Sequence, residues 1–238
     1  MTMTLYHCIN ARSFRVLWML EELGLPYELK VLPFPPRSRD EQYLEVNPLG
    51  TIPAFLDGDV WMSESAAICQ YLAARHSPHA LDVGVDEADF GVYLNDLHFG
   101  EATLTFPQTL ILRYGRFEPP ERRLAQAAED YTRWFLSRLR TLDPWLDTHD
   151  FLCAGRFTAA DVSVGYALML ATDIGLQDRF KAATLAYWQR LRARPGFLRA
   201  LEAQAHAALE QGEVERPAMI QRLCATRSAE PGRLPRPV

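Results

Sequence analysis

The chain has 238 residues, 48% hydrophobic and 23% charged, which excludes a wholly disordered polymer and suffices for one large domain or two small ones. Lys and Arg total 25 against 30 Asp and Glu, a formal net charge of −5 that argues against a nucleic-acid partner. Cys8, Cys69, Cys153 and Cys224 are too scattered for a zinc cluster or a disulfide framework, so no metal and a reducing, cytoplasmic setting are expected. The opening MTMTLYHCINARSF lacks the basic start and apolar block of a signal peptide, and Val16–Leu20 is too short to span a membrane.

Thr4–Cys8 reads as a short buried strand. Ser13–Leu23 reads as a helix, with Val16, Leu17, Leu20 and Leu23 on one face. Gly24 stands where a left-handed C-cap is needed, and Pro26 forbids continuation. Tyr27–Leu32 is a second strand, the prolines at 33, 35 and 36 make a stiff loop, and Arg39–Val46 is a short helix stopped by Asn47-Pro48. Ile52–Leu56 and Val60–Met62 flank Asp57-Gly58, a tight hairpin signal. Ser63 or Ser65 then caps a helix running to about His76. The order β-α-β-α-β-β-α implies a mixed four-stranded sheet.

Beyond residue 86 the strand signals stop. Asp86–Leu112, Pro120–Leu146, Thr158–Leu170, Arg179–Arg194 and Gly196–Gln211 all have helical periodicity. Thr158 and Asp161 form a capping-box pattern, with Phe157 and Val162 as its staple. The expected organisation is a sheet domain over residues 1–79, a linker near 77–85, an all-helical domain over 86–211 and a loosely ordered, Pro- and Arg-rich tail over 212–238.

Three stretches of the first domain could carry chemistry. Pro53 has no amide hydrogen and suits a strand start. A trans bond there would simply open the strand; a cis bond would turn the Ile52 backbone outward, free to pair with an extended ligand. Ser63-Glu64-Ser65 sits at a strand-to-helix junction, where helix amides suit a carboxylate and Glu64 an ammonium, an amino-acid head group in sum; plain capping is the alternative. Ile9–Ser13 opens the first helix, whose dipole would favour a thiolate there; Asn10 or Ser13 could equally be only a cap.

Four segments in order, ARSFRVLWMLEELGLPYEL, NPLGTIPAFLDGD, MSESAAICQYLAARH and FLCAGRFTAADVSVGYAL, resemble the glutathione S-transferases of the cytosolic, bacterial-like type. The resemblance covers residues 4–76 and about 150–200. It implies a thioredoxin-like α/β domain followed by an all-α domain, a homodimer, a cis Pro53, and glutathione as co-substrate with no metal. Thr51, Ile52 and Pro53 would hold the tripeptide's middle, and Glu64 and Ser65 its γ-glutamyl head. A small apolar electrophile would lie towards the helical domain, walled by His98, Glu101, Phe106 and Tyr114.

Two positions depart from the family pattern. Ala11 stands where close relatives carry a serine whose hydroxyl donates to the sulfur, leaving Asn10, Arg12 and Ser13 as the local candidates and Tyr6 as a remoter one. Cysteine-type members carry a thiol near Arg12, whereas Cys8 is upstream. Thr51 stands where many members hold the glycine carboxylate with a basic residue, a task open to Arg37 or Arg39. The implied activity is conjugation in a detoxification role, or reduction of a peroxide or disulfide. A non-catalytic glutathione-binding protein of the same fold is the alternative, and a glutathione-dependent isomerase or dehalogenase a third.

Overall fold

A computed structural model describes residues 2–77 and 80–212. The first half runs β1 (Met3–His7), α1 (Phe14–Leu23), β2 (Tyr27–Val31), the single turns α2 (Pro36–Arg39) and α3 (Tyr43–Val46), β3 (Ala54–Asp57), β4 (Val60–Met62) and α4 (Ser65–His76). The sheet order is β2-β1-β3-β4, with β1 parallel to β2 and every other pair antiparallel. Leu5 stands opposite both Leu29 and Phe55. In β1 the alternation buries Met3, Leu5 and His7, so a histidine occupies the third core-facing place of an otherwise apolar face.

Phe14 to Leu20 are buried without a break, because α1 is covered by α4 and by two helices of the second half. Gly24 ends α1 at φ 63°, its amide donating to Leu20, a conformation a side chain would resist. Some expectations shift locally: the helix expected over Arg39–Val46 is instead the two single turns α2 and α3. The β3 ladder starts at Ala54 rather than Ile52, since Pro53 cannot donate. The N-cap of α4 is Glu64, not a serine, and makes no side-chain cap bond. Ser13 occupies the N-cap of α1, again without a side-chain cap bond. The Ile52–Pro53 bond is cis, as the resemblance implied; Phe34–Pro35 is cis too, which nothing in the pattern marked.

The second half comprises α5 (Phe90–His98), α6 (Phe106–Leu112), α7 (Ala125–Leu139), α8 (Asp143–Leu146), α9 (Ala159–Asp173), α10 (Ala182–Arg192) and α11 (Pro195–Glu210). The helix expected over Asp86–Leu112 is longer and less regular. A π turn at Phe99–Thr105 joins α5 to α6, and a second at Arg113–Phe117 prolongs it. Pro107 has no amide for the preceding turn, which accounts for the widened helix just ahead of it. Among the described residues beyond 90, β pairing is limited to an isolated Cys153–Arg156 bridge. The tail expected over 212–238 lies outside the described residues from 213 onward.

One apolar core runs through both halves, from Met3 to Leu201. At its centre Trp18 of α1 lies edge-on to Phe197 of α11 (ring centroids 4.9 Å apart) and against Phe157 (5.9 Å). Gly165 of α9 meets the same indole so closely that an added Cβ would lie 2.8 Å from it. Asp161 completes the expected capping box of α9: its carboxylate accepts the Thr158 amide at 2.8 Å, the Leu152 amide at 3.1 Å and the Tyr187 hydroxyl at 2.8 Å.

Candidate functional site

A cavity of about 310 Å³ opens where the loop after β1, the loop around α2 and the turn before β3 face α6 and α9. Ile9, Asn10, Ala11 and Arg12 form one side of it, Gly50, Thr51 and Ile52 another, and Thr105, Thr109, Tyr166 and Leu170 the helical wall. The loop from Ile9 is thus the only stretch of the candidate thiol-activating residues that reaches the cavity among the described lining.

Asn10 adopts a left-handed backbone, φ 55°, which asparagine tolerates better than most residues. Its side-chain amide donates to Asp173 Oδ2 at 3.2 Å, and its side-chain oxygen accepts from Gln204 Nε2 at 2.7 Å. Its backbone amide donates to Gln204 Oε1 at 3.1 Å, and its carbonyl accepts the Tyr166 hydroxyl at 3.2 Å. Burial pushes the Tyr166 phenol up, so it stays a donor at neutral pH.

Ser13 is fully buried and does not line the cavity. Its hydroxyl accepts the Cys8 amide at 3.3 Å and lies 2.8 Å from His7 Nδ1. His7 Nε2 in turn lies 3.0 Å from Gln204 Oε1, an acceptor, which assigns the ring proton to Nε2 and leaves Nδ1 to accept from Ser13. Burial lowers the His7 pKa to about 4, against the raising effect of the Gln204 bond, so the ring is neutral at pH 7.

Arg12 lines the cavity with its guanidinium held by Glu101 at 3.0 Å and donating to Thr109 Oγ1 at 3.1 Å. Arg15, one turn on, is wholly buried. It donates to Glu101, to Thr105 Oγ1 at 2.7 Å, to the Gly100 and Ser163 carbonyls at 3.2 Å, and to Ser65 Oγ at 3.2 Å, and lies 4.3 Å over the Tyr166 ring. One buried guanidinium therefore touches both the candidate head-group serine and the helical wall.

On the opposite side, Asn47 Nδ2 and the Tyr43 hydroxyl both donate to the Thr51 carbonyl, at 2.7 and 2.6 Å, which fixes the turn entering the cis bond. Gly50, at φ 60°, lies under Arg37, whose Cβ would be 2.5 Å from an added Cβ there. Arg37 is exposed, lines the cavity and has no ion-pair partner among the described residues. Glu64 is exposed and Ser65 buried at the start of α4, outside the cavity lining.

The expected electrophile wall needs correction. His98, Phe106 and Tyr114 do not line the cavity, and Glu101 acts behind it through the two arginines. The π turn rotates the helix, so that Thr105, Thr109, Leu112 and Phe117 face inward instead. Phe117 meets Phe34, from the other half, with ring centroids 5.6 Å apart over the cavity. Tyr6 packs on Tyr43, and the Cys8 thiol lies 3.8 Å from the Pro33 carbonyl; neither lines the cavity.

Residues 11–75 match the family model described as glutathione S-transferase, N-terminal domain. Glutathione S-transferase 4 of Zea mays is 31% identical over 196 residues, covering 76% of this chain and 83% of that protein. The chain belongs to the glutathione S-transferase family. Glutathione S-transferase 3 of Schizosaccharomyces pombe is 39% identical over 100 residues, which span 42% of this chain and 41% of that transferase. A glutathione transferase of Phanerochaete chrysosporium, solved in complex with oxidized glutathione, superposes with a TM-score of 0.74 at 26% identity, over 87% of this chain and 97% of that one. Within this transferase fold, His7, Arg15, Asp173, Gln204, Phe34 and Phe117 escaped the sequence reading. Only His7 carried a signal, a polar residue in phase with Met3 and Leu5.

Proposed function

We propose that the chain binds glutathione in this cavity and transfers its sulfur to small apolar electrophiles, with peroxide or disulfide reduction by the same thiol as a related activity. The observation that carries this reading is the cavity's two-ended character. One end is a loop at a helix start with an arginine; the other is Phe34, Leu112, Phe117 and Leu170. The backbone of Ile52, ahead of the cis Pro53, pairs with the cysteinyl unit, Arg37 and Thr51 take the glycine carboxylate, and the γ-glutamyl head reaches past the cavity lining to Glu64 and Ser65 at the start of α4. Glutathione complexes of similar solved structures support the ligand.

A free thiol near ~8.5 is only a few per cent ionised at neutral pH, and each unit of lowering needs ~1.4 kcal/mol. With alanine at 11, Arg12 and the start of α1 supply it. Asn10 serves the loop first, because its side chain is already engaged with Asp173 and Gln204. Ser13 ranks last, its hydroxyl being turned to His7. Sulfur attack forms the S–C bond, the leaving group departs with its electron pair, and the guanidinium balances the thiolate beforehand.

Calorimetry with glutathione and turnover of chlorodinitrobenzene test the proposal. Glu64→Ala should weaken binding by about 1.5–3 kcal/mol, the range for a hydrogen bond to a charged group. Unchanged affinity would remove the head-group assignment. The missing hydroxyl at Ala11 favours one second reading, a glutathione-binding protein without catalysis; tight binding with no turnover of aryl halide, hydroperoxide or mixed disulfide would select it. The same reading makes the chain a cytoplasmic homodimer. Light scattering in solution checks the dimer.

A further inference from the structure

We infer that Gln204, on the last described helix, is a positioning residue for the thiol loop: through Asn10 it fixes where Ala11 and Arg12 stand. The inference rests on the proposed reading of the cavity for its chemical half; its structural half stands on the loop alone.

Asn10 has four polar groups, its amide, its carbonyl, and the oxygen and nitrogen of its side chain. All four are met by the helical half, two by Gln204, one by Asp173 at the end of α9 and one by Tyr166. A left-handed asparagine persists where its surroundings over-determine it, and here they do. Gln204 is itself fully buried, with both ends of its amide engaged. Its oxygen accepts from His7 and from the Asn10 amide, while its nitrogen donates to Asn10.

Only a neutral amide in this orientation fits. A carboxylate would set oxygen against the Asn10 side-chain oxygen, and an apolar side chain would leave the buried His7 Nε2 and two groups of half-buried Asn10 without this partner. The His7 ring closes the set from behind, because Ser13 takes its other nitrogen. Arg12 is tied at its far end to Glu101 and Thr109, so its backbone end is placed by the turn at Asn10. A displacement of about 1 Å in such a group can cost ~100-fold in rate, which makes the anchor of the turn part of the chemistry.

The experiment is hydrogen exchange on the ligand-free chain, joined to titration of bound glutathione. In Gln204→Leu the amides of Asn10 and Ala11 should exchange about tenfold faster while those of α4 keep their rate, since only the local opening is eased. The bound thiol should titrate higher, and kcat should fall about tenfold with the glutathione KM changed less than about twofold. Asp173→Ala, at a half-buried site, removes the other side-chain anchor and should move exchange the same way by about threefold. Wild-type exchange at Asn10 and Ala11 in a folded Gln204→Leu overturns the inference, and so does acceleration spread evenly over the chain. Should that variant not fold, wild-type exchange at Asn10 and Ala11 in Gln204→Glu, which sets an oxygen against the Asn10 side-chain oxygen, overturns it. Faster exchange with an unmoved thiol pKa overturns the chemical half. A wild-type chain that fails to bind glutathione defeats the proposed function and leaves the exchange result to decide the structural half.

Discussion

Two buried polar clusters hold loops in this molecule, one around Asp161 within the helical half and one around Gln204 between the halves. Asp161 is an acceptor alone: the Leu152 and Thr158 amides and the Tyr187 hydroxyl all converge on one carboxylate. The Gln204 cluster is neutral and two-headed, each member donating and accepting, from Ser13 through His7 to Asn10. A hub with one acceptor fails as a whole when that acceptor goes. A chain of two-headed groups can lose a member and keep the rest partly satisfied. The first arrangement suits a fixed fold, and the second a loop whose placement is shared between two bodies.

Removing each hub sharpens the contrast. Asp161→Ala should cost the most, about 3–5 kcal/mol in denaturant melts, because it strands several buried donors together. The two clusters should also respond to pH with opposite signs. Burial raises the Asp161 carboxyl to about 6, so its contribution to stability is complete below the unfolded value of 3.8 and is lost as pH rises through about 6. Burial lowers His7 to about 4, so its contribution is complete above 6.5 and is lost as pH falls through about 4. Each is worth roughly 3 kcal/mol across its window, so Asp161→Asn should expose a loss of stability on acidification, and His7→Asn a gain. Parallel pH profiles in the two variants would break the comparison.

Smaller effects follow within the second cluster. Ser13→Ala should cost about 1 kcal/mol of stability through the lost hydroxyl bonds and leave the pKa of bound thiol unmoved. A large thiol shift there would return Ser13 to the catalytic role. Ala11→Ser should be the mildest, within about 0.5 kcal/mol in stability, with turnover equal or raised. Lower turnover in that variant, measured with chlorodinitrobenzene, would mean that the cavity is shaped around the methyl group.

Legibility followed range. Gly24 with Pro26, the Asp57-Gly58 hairpin and the Thr158–Asp161 box were readable because the residues that decide them lie within a few positions of one another. The inner face of the wall was not, because Pro107 shifts the helix into a π turn and rotates Phe106 outward and Thr109 inward. Asn10, Arg12 and Ser13 form one loop in the sequence, yet their side chains part three ways, to Gln204 and Asp173, to Glu101, and to His7. For Asn10 the deciding partner lies 194 residues away in the sequence, and no local pattern announces it.

The close approach of Gly165 to Trp18 bears on how this chain can change over generations. The indole is wedged between Phe157 and Phe197 and has no room to retreat. A methyl group at 165 therefore becomes tolerable only after the indole has been replaced by something slimmer, so the two positions should drift as a pair. The same lock limits recombination. A helical half borrowed from a relative with a larger residue at the place of Gly165 would meet this first half as a steric clash, and a working hybrid would need its crossover to carry both positions from one parent.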